Sequence, residues 1–155
     1  MAMHEMLLAN AVATEAAGGH LSACCRGGQL VFLHGPLGAG KTTLVRGFLR
    51  GLGHAGAVKS PTYNLIESYP LRGWQVHHLD LYRLAEAEEL EWLGIRDLLG
   101  EDAICLIEWP ERGAGFLPDP DLHVTLAYSP GGRSLQLEAT SGSGCSSMNC
   151  LEKLV

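Results

Sequence analysis

The chain has no surplus of positive charge. Its 155 residues carry 11 Lys plus Arg against 17 Asp plus Glu, a formal net charge of −6. No basic stripe is visible, which excludes broad electrostatic binding of nucleic acid by this chain alone. Only three lysines occur: Lys41, Lys59 and Lys153. Long hydrophobic runs are also missing. Nothing approaches 18 uninterrupted apolar residues, so no membrane span is expected, and the N-terminus lacks the basic segment and apolar core of a secretory leader. There is no C-x-x-C pair. The five cysteines (Cys24, Cys25, Cys105, Cys145, Cys150) are an odd number and read as reduced cytosolic thiols, not as a disulfide scaffold or zinc site. The histidines are scattered, and the adjacent His77 and His78 point to opposite faces of a strand, so no histidine metal site is expected. What remains is an ordinary globular composition, 46% hydrophobic and 18% charged, at a length that suits one domain.

Against that background one stretch stands out. Gly35-Pro36-Leu37-Gly38-Ala39-Gly40-Lys41-Thr42 fits G-x-x-x-x-G-K-[ST] and is followed by Thr43. It succeeds the apolar run Leu30–Leu33 and precedes Leu44–Arg50, which reads as a helix. Strand, glycine loop and helix form the context in which this motif binds phosphate. Glycines let the loop curl so that backbone N–H groups converge on an anion, and the helix beginning at Lys41 adds its unpaired N–H groups and dipole. Lys41 is placed to meet the β- and γ-phosphates of a nucleotide, and the Thr42 hydroxyl to ligate Mg²⁺. At an effective dielectric near 20, an ammonium about 4 Å from one phosphate charge gains roughly 4 kcal/mol. By composition alone, the motif would arise in about five chains of a thousand.

The remaining chain reads as alternating elements. Met3 to Cys25 is alanine-rich and favours helix, capped by Asn10 or Thr14 and weakened in its middle by Gly18-Gly19. Lys59-Ser60-Pro61-Thr62-Tyr63 is a proline-stiffened loop, and 63–69 with 74–79 suggests an antiparallel hairpin ending at Asp80. Glu86–Leu93 is an amphipathic helix stopped by Gly94. Ala103–Ile107, continuously apolar and short, is a buried central strand ending at Glu108. A last hairpin joins 122–126 to 134–138. Residues 1–139 thus form one domain, and the Ser-Gly-Cys-rich residues 140–155 are expected to be a mobile tail.

A nucleotide with Mg²⁺ needs a carboxylate at a strand tip beside the loop. Asp80 and Glu108 both end strands, where ligands of open α/β sheets gather. Glu108 is assigned to Mg²⁺ and Asp80 to orienting the attacking water; on sequence alone these roles are interchangeable. Thr62 lies where a hydroxyl can sense the γ-phosphate, as switch loops do. Arg83 and Arg112 are candidate stabilisers of transition-state charge, and Trp109 packs beside the site. The Asn-Lys-x-Asp signal for guanine is absent, and Asp97-Leu98-Leu99-Gly100 follows a helix instead of a strand, which favours ATP over GTP.

Four motifs occur in order: 37–43, 59–63, His78-Leu79-Asp80-Leu81-Tyr82-Arg83-Leu84 and Glu108-Trp109-Pro110. Together they resemble the bacterial TsaE (YjeE) family, ATPases of tRNA threonylcarbamoyladenosine (t6A) biosynthesis, over roughly residues 10–137. The resemblance implies an α/β, single-domain P-loop NTPase fold with a mixed parallel and antiparallel central sheet flanked by helices. It implies slow, Mg²⁺-dependent ATP hydrolysis in concert with the threonylcarbamoyl transferase subunit and its inactive paralogue (TsaD and TsaB), with tRNA met only through that complex. It assigns catalysis to Lys41, Asp80, Glu108 and Thr62, and Mg²⁺ to Thr42 and Glu108. ATP or ADP would lie on Gly35, Gly38, Ala39, Gly40, Lys41, Thr42 and Thr43, with Thr14 and Arg133 near the base. A small-molecule kinase and a nucleotide-bound interaction module without turnover are the alternatives.

Overall fold

The computed structural model describes residues 2–61, 63–71 and 73–155. Seven strands form one sheet. In chain order these are β1 (Ala2–Leu8), β2 (Leu30–His34), β3 (Ile66–Pro70), β4 (Gln75–Asp80), β5 (Ala103–Glu108), β6 (Leu122–Ser129) and β7 (Gly132–Ala139). They lie in the order β1-β7-β6-β2-β5-β4-β3. The inner four, β6, β2, β5 and β4, are mutually parallel. The hairpins β3–β4 and β6–β7 and the pair β1–β7 are antiparallel. This is the mixed sheet expected, and it brings the carboxyl ends of β2, β4 and β5 side by side.

The described residues also form five α-helices, α1 (Ala11–Cys24), α2 (Lys41–Gly51), α3 (Glu89–Trp92), α4 (Ile95–Leu98) and α5 (Gly142–Leu154), and a 3-10 turn at Pro110–Gly113. On one face α1, α2 and α5 bury Leu21, Leu44, Phe48 and Leu151 against Val31, Ile104, Leu106 and Leu137. On the other, Leu81, Leu90 and Ile95 pack on Leu79, Cys105 and Ile107. β5 is buried along its whole length, as a strand covered on both faces must be.

Glycines of both α1 and α2 bring the two helices into backbone contact. A Cβ at Gly18 would lie 2.8 Å from the Phe48 nitrogen, and one at Gly47 would lie 2.7 Å from the Glu15 carbonyl carbon. Gly18, which weakens α1 on its own, is therefore also what seats it on α2.

Four expectations are corrected. Residues 2–8 are strand and not helix. Their alanine, methionine and leucine content favours helix locally, but the free edge of β7 pairs with them from Ala2↔Ala139 to Leu8↔Arg133. Asn10 then starts α1, its Oδ1 accepting the Ala13 N–H at 2.9 Å. The segment 86–93 is helical only over Glu89–Trp92; before it the backbone closes tight turns, Glu89 N–H to Glu86 and Leu90 N–H to Ala87.

The mobile tail is instead α5. Ser141 caps it, accepting the Gly144 N–H at 2.9 Å and donating to Asp121 at 2.6 Å. The Gln29 amide donates to Ser143 and Ser147, while Met148 and Leu151 are buried. Residues read as low complexity are thus caps and hydrogen-bond partners. Finally, the cysteines are not all thiols: α5 brings Cys150 to a Cα separation of 5.6 Å from Cys24, and the two form a disulfide. Cys25, Cys105 and Cys145 are free, and burial pushes the Cys25 and Cys105 thiols up to about 12. No helix among the described residues is long and apolar enough to cross a membrane.

Candidate functional site: a phosphate loop facing two carboxylates

The loop between β2 and α2 curls through left-handed glycines, with φ of 142° at Gly35, 80° at Gly38 and 110° at Gly40. Two of them lie close against β6. A Cβ at Gly35 would press on the Leu126 carbonyl, 3.3 Å from its carbon, and one at Gly38 would lie 2.9 Å from the Tyr128 hydroxyl. β6 therefore backs the loop. Tyr128 donates its hydroxyl to the Leu37 carbonyl at 3.0 Å, and Arg133 stacks on the Tyr128 ring 4.4 Å from its centroid. Ala39 is buried beneath.

Lys41 opens α2 and turns back under this loop, donating to the Gly35 carbonyl at 2.6 Å. Its ammonium lies 3.8 Å from Glu108 Oε1 and 4.2 Å from the centroid of the Trp109 indole. Trp109 has φ 56°, rare for a residue with a side chain, and this turn after β5 swings the ring over the lysine. Burial pushes the Lys41 ammonium below its ordinary value, against the pull of Glu108, Asp80 and Glu111.

Asp80 and Glu108 are register partners on β4 and β5, and Glu108 also pairs with Leu33 two residues before the loop. Both are buried, at 7% and 4% exposure. Burial pushes the Asp80 carboxyl above its usual range, offset in part by the Tyr82 N–H that it accepts at 3.0 Å. Glu108 Oε2 contacts the His78 Nε2 at 2.6 Å.

Two cavities flank the loop and share Gly38, Gly40 and Thr43. One, of about 260 Å³, is walled by Lys41, Thr42, Ser60, Asp80, Glu108 and Trp109. The other, of about 250 Å³, is walled by Asn10, Thr14, Ala39, Gly132 and Arg133. Each approaches the size of a small-molecule site, about 300–1,000 Å³. The polar chemistry is divided between them: cation, hydroxyls and carboxylates in the first, a neutral lining with one arginine in the second. The glycine cradle, the lysine, the hydroxyls of Thr42 and Thr43 and the paired acids fit a triphosphate with a divalent cation. Among the described residues no group of three or more His, Cys, Asp and Glu forms a metal centre without such a ligand.

The threonylcarbamoyl adenosine biosynthesis protein TsaE model matches residues 8–135. The chain belongs to the TsaE family. It is 54% identical over 115 residues to the tRNA threonylcarbamoyladenosine biosynthesis protein TsaE of Haemophilus influenzae, covering 74% of this chain and 73% of that one. The TsaE of Nostoc sp. is 38% identical over 144 residues, 89% of this chain and 86% of the relative. The crystal structure of YdiB from Bacillus subtilis superposes with a TM-score of 0.86 at 25% identity, covering 99% of this chain and 96% of that one.

Of the residues expected in a TsaE site, the structure gathers Gly38, Gly40, Lys41, Thr42, Thr43, Asp80 and Glu108 about one loop face. It sets Thr14 and Arg133 on the other. Thr62 lies outside the described residues. Arg83 and Arg112 do not line the cavity; Arg83 stacks on Tyr63 and Arg112 on Tyr82, at 4.9 and 5.7 Å. Sequence reasoning missed His78, Ser60 and Tyr128. His78 carried a signal, since it faces the same side of β4 as Asp80. Tyr128 carried none, because its contact with Leu37 spans 91 residues.

Proposed function

We propose that this chain is an ATP-binding protein and slow, Mg²⁺-dependent ATPase that acts with the threonylcarbamoyl transferase complex in t6A modification of tRNA. Membership of the TsaE family supports the pathway. The chemistry rests on one observation: two buried carboxylates in register stand opposite the phosphate-loop lysine, with Glu108 Oε1 3.8 Å from its ammonium.

In this reading the nucleoside occupies the cavity beside Thr14 and Arg133, and the phosphates lie on the loop amides of residues 38–43. Lys41 exchanges its contact with Gly35 for phosphate oxygen. Thr42 and Glu108 hold Mg²⁺, which when bound offsets charge on the phosphates. Asp80 orients the attacking water, and the Trp109 indole over Lys41 keeps other water away. The hydrolysis works on partners, the transferase subunit TsaD and its paralogue TsaB. The net charge of −6 fits a protein that leaves the tRNA to them.

The test is phosphate release from ATP and Mg²⁺, alone and with the transferase pair. Release that rises with the pair, together with loss of nucleotide binding in Lys41→Ala, supports the reading. ADP formed only with a small hydroxylated acceptor points to a kinase. Tight binding without turnover under any condition leaves a binding module.

A further inference from the structure

His78 has no part in the reading above, yet it makes a short contact with Glu108. It is fully buried, with 0% of its surface exposed, and its Nε2 stands 2.6 Å from Glu108 Oε2. Its other nitrogen, Nδ1, is buried with no hydrogen-bond partner among the described residues. That asymmetry fixes the neutral ring's tautomer. A proton on Nε2 makes the short contact a hydrogen bond, whereas one on Nδ1 would set two acceptors 2.6 Å apart and bury an unpaired donor.

The consequence falls on Glu108. A carboxylate on a short strand end can rotate about its terminal bond, and a buried one needs a donor to hold its charge. With Oε2 held by the imidazole, Oε1 turns toward Lys41 and the cavity that Thr42, Asp80 and Trp109 line. We propose that His78 is a positioning residue for Glu108: it clamps one carboxylate oxygen so that the other is presented to Mg²⁺. The proposal rests on the nucleotide-site reading and adds a residue to it. Outer-shell donors of this kind typically change metal affinity by about 10–100-fold when removed.

Two amide substitutions separate positioning from mere packing. Gln places a donor near the position of the imidazole Nε2, and Asn reaches only as far as Nδ1. The readouts are binding of a non-hydrolysable ATP analogue as Mg²⁺ is titrated, the same binding in EDTA, thermal stability, and KM against kcat. His78→Gln is expected to keep the Mg²⁺ half-saturation within about threefold of wild type. His78→Asn should raise it about 10–100-fold and lower kcat, with melting temperature and binding in EDTA little changed. In a Glu108→Ala background, His78→Asn should add nothing.

Equal behaviour of the Gln and Asn variants, or an Asn effect that adds in full to Glu108→Ala, overturns the proposal. If His78→Asn fails to fold, the Gln variant still decides, because a shift of tenfold or more in it contradicts a role that a donor at that position fulfils. Wild-type protein that binds the analogue with no response to Mg²⁺ takes down the metal-site reading itself, and this proposal with it.

Discussion

Gly47→Ala is expected to uncouple the nucleoside cavity from the phosphate loop. Its Cβ would stand 2.7 Å from the Glu15 carbonyl carbon and 2.9 Å from its Cα. Non-bonded carbons rest about 3.5–4.0 Å apart, so α1 and α2 must separate by about 1 Å. Both obstructing atoms are backbone and cannot swing aside. Glu15 follows Thr14, which walls the cavity proposed for the nucleoside, while α2 carries the loop's own Lys41 and Thr43. The separation therefore opens between the two halves of the ligand. Overpacking of this kind costs about 1–3 kcal/mol, a fall in Tm of roughly 2–10 °C for a chain of this length. Affinity for ATP and ADP should fall tenfold or more, whereas affinity for inorganic tripolyphosphate, which needs only the loop, should change by less than threefold. Calorimetry on the three ligands and a thermal melt read this out. Gly142→Ala is the control: no atom lies within 4 Å of its added Cβ and its φ is not positive, so neither quantity should move. A Gly47→Ala protein with wild-type melting and wild-type ATP affinity would refute the reasoning.

Asp80→Asn should stabilise the nucleotide-free protein while abolishing turnover. Burial raises the Asp80 carboxyl above its unfolded value, so the folded chain holds that proton more tightly, and stability falls as pH rises from about 4 through the folded value. The variant escapes this, and its Tm advantage should be near zero in acid and grow as pH rises to 7; a lower Tm at pH 7 contradicts the sign. Reducing the Cys24–Cys150 disulfide, which joins residues 126 apart, should cost about 2–4 kcal/mol, against roughly 5 kcal/mol in the loop-entropy limit. Dithiothreitol should then lower Tm by roughly 5–15 °C in wild type and leave Cys150→Ser unaffected. Glu108→Ala should lose ATP turnover and much of the Mg²⁺ dependence of nucleotide affinity, while binding in EDTA as tightly as wild type or more so; unchanged Mg²⁺ dependence would remove Glu108 from the metal site.

The phosphate loop, its strand and helix, and the two acids were legible because each depends on residues adjacent in sequence. A glycine loop has to be glycine where φ is positive, and a strand buried on both faces has to be apolar throughout, as β5 is. What was not legible was settled at long range. β1 is a strand because β7 offers it an edge, despite a composition that favours helix locally. Gly18 looks like a helix breaker until α2 is laid against it. The Ser-Gly run after Thr140 has no apolar period strong enough to announce a helix. Its order comes from Asp121, Gln29 and Cys24, all distant in sequence. His78 sits between these cases: its face was readable from β4, but its partner was not, since β5 had first to be placed beside β4.

On the proposed function, the charges that line the site account for binding of the nucleotide together with a divalent cation. Two buried carboxylates face one ammonium, and that ammonium is already held by the Gly35 carbonyl. A triphosphate entering alone would gain roughly 4 kcal/mol from Lys41 at about 4 Å and an effective dielectric near 20, and each carboxylate at a similar distance would take back as much. The loop amides then have to supply all of the net attraction. Mg²⁺ held by Glu108 would turn one of these two repulsions into an attraction, and Asp80 on the neighbouring strand would be left to face the terminal phosphate. On that reading, the same acids that would make the site a poor anion receptor on their own would favour the metal complex, and Asp80 would stay in place for the attacking water.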